Sequence, residues 1–127
     1  MGKEPRHPTE LELEILKVMW ERGPMRVREV REALAPTRGL AYTSVMTMMG
    51  IMTKKGFLKR TKDGNSFIYR AVAQREGTSR GMMRDLVDRV FEGSTASAVL
   101  QLLETSDLDA DERAEIRKLI EKKERKS

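Results

Sequence analysis

Apolar residues recur at helical spacing in three stretches of the first half of the chain, after which the period changes. Leu11, Ile15, Leu16 and Met19 form the first stripe, and Trp20 ends it before Glu21-Arg22-Gly23-Pro24 stops the helix. Thr9 followed by Glu12 is a capping-box pattern, in which hydroxyl and carboxylate each satisfy a free backbone N–H at the helix start. Val27, Val30 and Leu34 predict a second helix over about 26–35, with Pro36 and Gly39 closing it and Met25 a candidate for a very short strand before it. Val45, Met48, Met49 and Met52 are the buried stripe of a third helix over about 42–55, ended by Gly56. From Phe57 the period is 2. Leu58, Arg60 and Lys62 alternate with Phe57, Lys59 and Thr61; beyond Asp63-Gly64-Asn65, the run Ser66 to Val72 puts Phe67, Tyr69 and Ala71 on one face. Two alternating runs around an Asp-Gly turn predict a hairpin.

Three more helical stretches follow. Met82, Met83, Leu86, Val87, Val90 and Phe91 make two adjacent apolar rows that Gly93 terminates, while Gly77 and Gly81 weaken the first turns of that helix. Ser94 is the expected N-cap of a fifth helix over about 95–104, with Ala96, Val99, Leu100 and Leu103 apolar. A sixth starts at Asp109 with Glu112 three residues on and Leu108 placed for a staple contact; Ile116, Leu119 and Ile120 are its stripe. These helices are too short and too narrowly apolar to form a stable domain alone, so burial against the same helices of a second chain is expected, with folding back onto the first domain as the alternative. The organisation is therefore a tail over 1–8, a helix-helix-helix-hairpin domain over 9–72, and a helical dimerisation region over 73–127.

Charge sharpens this picture. Residues 1–72 hold 14 Lys and Arg against 8 Asp and Glu, a net of +6, whereas 73–127 hold 11 against 12, a net of −1. Within 38–70, Arg38, Lys54, Lys55, Lys59, Arg60, Lys62 and Arg70 face Asp63 alone. A positive field concentrated on one part of a chain is the footprint of a phosphate binder. Cysteine is absent and the single histidine, His7, falls in the tail. Disulfides, thiol chemistry, Cys/His zinc sites and a Ser/His triad are excluded on that inventory, and no cofactor, metal site or enzymatic activity is expected. No apolar run approaches a membrane span and no signal-peptide pattern opens the chain, which gives a cytoplasmic location without membrane insertion as the default.

Three helices and a basic hairpin are the layout of a winged helix-turn-helix, so the fold class is mostly α with a small β-hairpin wing and a C-terminal three-helix dimerisation region. The third helix suits the major groove of double-stranded DNA, where base edges are distinguishable. Thr43, Ser44 and Thr47 are short hydroxyl side chains for bases or phosphate oxygens, with Thr43 equally readable as the helix N-cap. Tyr42 either touches DNA or packs beneath the helix, and Gly50 permits close approach to the duplex. Lys54 and Lys55 are candidates to neutralise phosphates, as are Lys59, Arg60 and Lys62 of the wing. Two other classes stay open. A winged-helix protein-interaction module would present an apolar or acidic third helix. A ligand-sensing winged-helix regulator would line a pocket with aromatic residues, and Phe91 is the one aromatic after residue 72.

At the third helix the residues themselves become specific. Gly39-Leu40-Ala41-Tyr42-Thr43-Ser44-Val45-Met46-Thr47-Met48-Met49, followed by Lys54-Lys55-Gly56, resembles the penicillinase and methicillin-resistance repressor family, which also includes copper-responsive repressors. Leu11 to Trp20 is similar to the family's first helix, Asp63-Gly64 and Tyr69 to its wing, and Val99 to Glu104 to its fifth helix, so the likeness covers about residues 8–123. The resemblance implies a homodimer joined by the C-terminal helices, repression at a palindromic operator with TACA/TGTA-like half-sites, and release through a membrane-bound sensor metallopeptidase whose signalling leads to cleavage in the fifth helix. Gln101-Leu102 stands where the antibiotic-sensing members have an asparagine and a phenylalanine. Ile51 and Asn65 stand at positions where members carry arginine, which removes two phosphate contacts or, at Ile51, substitutes contact with a thymine methyl. The cysteine-rich tail of the copper-responsive branch is missing.

Overall fold

The computed structural model describes residues 7–126. Eight elements follow in order: α1 (Glu10–Arg22), α2 (Val27–Leu34), α3 (Tyr42–Lys54), β1 (Leu58–Asp63), β2 (Ser66–Ala71), α4 (Arg75–Val90), α5 (Thr95–Thr105) and α6 (Ala110–Lys126). The chain divides into two compact units, one up to Arg84 and one from Asp85, so the change of unit falls inside α4 rather than at its start. Met1 to Arg6 of the expected tail lie outside the described residues, and Pro8 is buried.

In the first unit, the helical stripes converge on one core. Ile15, Leu16 and Met19 of α1 meet Val27, Val30 and Leu34 of α2 and Val45, Met49 and Met52 of α3, with Met48 half-buried at the edge. The hairpin closes the core through Phe57, Leu58 and Tyr69. Burial of side chains this size contributes about 1.5–3 kcal/mol each, which makes the stripes the main force bringing three short helices together. Met25 pairs with Tyr69 through N–H to carbonyl bonds of 2.8 Å in both directions, so the anticipated short strand exists as a single bridge.

Local chemistry sets the boundaries. The capping box at α1 is formed: the Thr9 amide donates to Glu12 Oε1 at 2.8 Å and the Glu12 amide to Thr9 Oγ1 at 3.3 Å. The start of α6 repeats the arrangement with Asp109 and Glu112, and Ser94 Oγ accepts from the Ser97 amide at α5. Gly56 leaves α3 at φ +86°, a left-handed conformation that lets the Phe57 amide reach back to the Met52 carbonyl. The hairpin pairs Leu58 with Ala71 through to Asp63 with Ser66, leaving Gly64-Asn65 as the loop. Positive φ falls on Gly64 and not on Asn65, the pattern of a type II′ connection, one residue later than the Asp-Gly step had suggested. Where the chain leaves the wing, the Phe57 carbonyl accepts from both the Val72 and Ala73 amides, and Trp20 Nε1 donates to the Ala73 carbonyl at 2.8 Å. Arg75 stacks over the Trp20 ring at 5.0 Å.

In the second unit, α5 buries Ala98 alone and α6 buries no residue; α4 also buries none. Ala98 is the buried position of α5, and Ala96 is exposed. No helix among the described residues is long and apolar enough to cross a membrane.

Candidate nucleic-acid interface

The α3 helix is attached by Val45, Met49 and Met52, and its opposite side is open. Thr43, Ser44 and Thr47 are exposed there, and none makes a side-chain hydrogen bond among the described residues. Thr53 shows the contrast: its hydroxyl donates to the Met49 carbonyl at 2.8 Å and is already spent within the helix. The N-cap is Ala41, with no side-chain cap, and not Thr43, which lies exposed in the first turn. Tyr42 is exposed as well, not packed beneath the helix, while Gly50 is half-buried with open space where a Cβ would stand.

Packing then sorts the basic residues into two classes. Lys54 is exposed and unpaired among the described residues. Lys55 is not available to phosphate as the sequence had suggested. Its ammonium lies 2.9 Å from Glu12 Oε2 and 3.2 Å from Oε1, and the pair is largely shielded from water. The reason is helical rotation: Lys55 follows the solvent-facing Lys54 by 100° and so turns back towards α1. Arg38 also leaves the basic cluster, donating to Glu14 at 2.7 Å. Burial raises the proton affinity of the Glu12 carboxyl, but the Thr9 amide and the Lys55 ammonium outweigh it and hold the group below its ordinary value of 4.5.

The wing keeps its charge. Its single acid, Asp63, is bonded to the Arg26 guanidinium, which also reaches Ser66 and ties the wing tip to the start of α2. Lys59, Arg60, Lys62 and Arg70 are all exposed. By strand register Arg60 and Lys62 share the face of Tyr69 and Phe67, whereas Lys59 and Arg70 share the other. Arg60 is held over the Phe67 ring at 4.2 Å. It lines a cleft together with Thr47, Gly50, Ile51 and Lys54, so one wing cation lies beside the open face of α3. A second groove joins Arg28 of α2, Tyr42 and Met46 of α3, and Asn65 at the wing tip. Arg28 and Met46 are additions to the residues chosen from sequence. Their signal was available in the helical period, since both are exposed positions between buried ones.

The residues expected in dimerisation divide by exposure. Met83, Leu86 and Val90 are exposed on α4, as are Val99, Leu100 and Leu103 on α5 and Leu119 and Ile120 on α6. Met82, Val87, Phe91 and Ile116 are half-buried. Gln101 and Leu102 are exposed within α5. Among the described residues no group of three or more His, Asp or Glu side chains is placed to hold a metal ion.

A family profile described as penicillinase repressor matches residues 8–122. The chain is similar to the penicillinase repressor of Bacillus licheniformis, 29% identical over 113 residues that cover 89% of this chain and 88% of that one. The transcriptional regulator BlaI of Mycobacterium tuberculosis is 32% identical over 113 residues, covering 87% of this chain and 80% of its own length. Among solved structures, the DNA-binding domain of the repressor BlaI superposes with a TM-score of 0.51 at 30% identity, covering 61% of this chain and 93% of that domain.

Proposed function

The chain belongs to the penicillinase repressor family, and from that premise we propose that it is a transcriptional repressor that binds a palindromic operator as a homodimer. It acts by occupying DNA, with α3 in the major groove and the wing along the backbone. The observation that carries this reading is the open face of α3, where Thr43, Ser44 and Thr47 keep their hydroxyls free beside Lys54 and Arg60. The protein-interaction alternative expects an apolar or acidic surface there, without this run of hydroxyls and cations. Double-stranded DNA is then the partner, and a second copy supplies the other half-site reader.

Dimerisation is supported by the unpartnered apolar positions of α4, α5 and α6, which a monomer leaves in water. A sensor peptidase pathway is the release mechanism consistent with the family, and the place corresponding to its cleaved bond holds Gln101-Leu102 instead of asparagine and phenylalanine. Those residues lie inside α5, and a peptidase binds its substrate extended, so α5 must unwind locally before the bond is reached.

Fluorescence anisotropy on the chain's own upstream promoter and a scrambled duplex, across a salt series, tests the proposal. Saturable binding with two chains per site and a clear preference for the promoter is expected; equal, weak binding to both duplexes refutes it. Two substitutions separate the roles within the site. Thr47→Ala is expected to relax sequence preference by about 0.5–1.5 kcal/mol at the contacted base pair, the net worth of one hydroxyl hydrogen bond, whereas Lys54→Ala weakens binding to every duplex and lowers the salt slope by about one. Equal losses on promoter and scrambled DNA for both variants contradict that division.

A further inference from the structure

The α3 segment, Tyr42 to Lys54, contains no arginine, asparagine, glutamine, aspartate, glutamate or histidine. Those are the side chains that make the strong bidentate or accepting hydrogen bonds to base edges, so that mode of readout is closed to this helix apart from Lys54 at its far end. Between its hydroxyls it exposes two apolar side chains. Met46 is 43% exposed in the groove that reaches Asn65 at the wing tip, and Ile51 is 40% exposed in the cleft that Arg60 lines, with Thr47 between them in helical rotation. Exposed apolar side chains rimmed by polar and charged groups on one helix face are the pattern of a surface that a partner covers. The charged rim decides what that is: Arg28, Lys54 and Arg60 border this strip, which suits a polyanion with an apolar feature at its centre.

Resting on the assignment of α3 to the major groove, we propose that Met46 and Ile51 determine specificity by packing on the C5-methyl groups of thymines at two positions of each half-site. The thymine C5-methyl is the apolar group that base pairs present in that groove; cytosine carries only a hydrogen at that position, and adenine and guanine present N7 with an amino or carbonyl group. Thr43 and Thr47 add short hydroxyls able to bond an adjacent base or phosphate, and the absence of a side chain at Gly50 leaves the helix free to approach closely enough for methyl contact. Arginine at position 51 would reach past the base edges to the backbone; isoleucine moves that position from binding phosphate to reading sequence.

The test begins with the full chain and a pool of random duplexes, from which the preferred sequence is selected, and then replaces each thymine of that sequence in turn by deoxyuridine. Removing a contacted methyl is expected to weaken binding about fourfold, the effect of exposing one methyl-sized group. The loss at one thymine disappears in Met46→Ala, and the loss at a second disappears in Ile51→Ala. Both residues are exposed, so these variants retain the fold. Affinity unchanged by uracil at every thymine overturns the inference while leaving the repressor intact, as do losses that persist in full in both variants. A pool in which no sequence is enriched overturns the repressor reading and this inference with it.

Discussion

Replacing Glu12 by alanine is expected to destabilise the N-terminal unit by about 3 kcal/mol, near the lower end of the range for breaking a shielded ion pair. The single substitution removes two supports. The Thr9 amide at the start of α1 loses its acceptor, and the Lys55 ammonium at the end of α3 is left desolvated without a counterion. Urea unfolding at pH 7 measures the loss, and a domain of this size is expected to melt roughly 10–20 °C lower. A loss below about 1 kcal/mol would show that Lys55 swings out to water at little cost. Because Glu12 is held below its ordinary value of 4.5, its contribution is fully present above that value and lost as pH falls through the lower folded value. The difference between wild type and Glu12→Ala therefore narrows under acid conditions. Lys55→Met in the Glu12→Ala background should restore part of the stability, since it removes the orphaned charge. DNA affinity in conditions where both proteins are folded reports how far this pair also sets the angle of α3.

Charging the exposed apolar face of α5 is expected to have the largest effect on operator binding. Leu100→Glu combined with Leu103→Glu places carboxylates on two positions that are 59% and 43% exposed within one chain and that dimerisation would bury. Analytical ultracentrifugation should find a monomer. Affinity for an operator with both half-sites should fall by about 10²–10⁴-fold, because the second half-site is no longer bound intramolecularly. Affinity for an isolated half-site should not change, since the altered residues lie in the second compact unit and α3 in the first. A variant that stays dimeric would place the interface on α4 and α6. Loss of half-site binding would mean that the substitutions act on the N-terminal unit and not on assembly.

The course of the first domain was legible because its apolar residues follow one period at a time. Spacing of 3.6 in Leu11–Met19, Val27–Leu34 and Val45–Met52 and of 2 after Phe57 leaves few ways to bury every stripe together. Most core residues lie on those stripes, with Leu11 and Met48 only half-buried at the edge and Met25 and Phe57 added by packing. The caps at Thr9, Ser94 and Asp109 were equally visible, since each is a hydrogen bond between residues three apart. The candidate face of α3 could likewise be found by rotating away from its buried side.

Which cations remain free was beyond the reach of the sequence. Lys54 and Lys55 are adjacent and chemically identical, and what separates them is a carboxylate that lies 43 residues from Lys55 along the chain. Arg38 and Arg26 are likewise assigned by Glu14 and by Asp63, partners that only the folded chain brings near. Glu12 is legible as a cap and illegible as an ion pair for the same reason. Helical period and capping depend on residues within four positions of one another, so composition and order determine them. Charge pairing depends on which surfaces meet when the stripes are buried, and that was decided by tertiary packing alone.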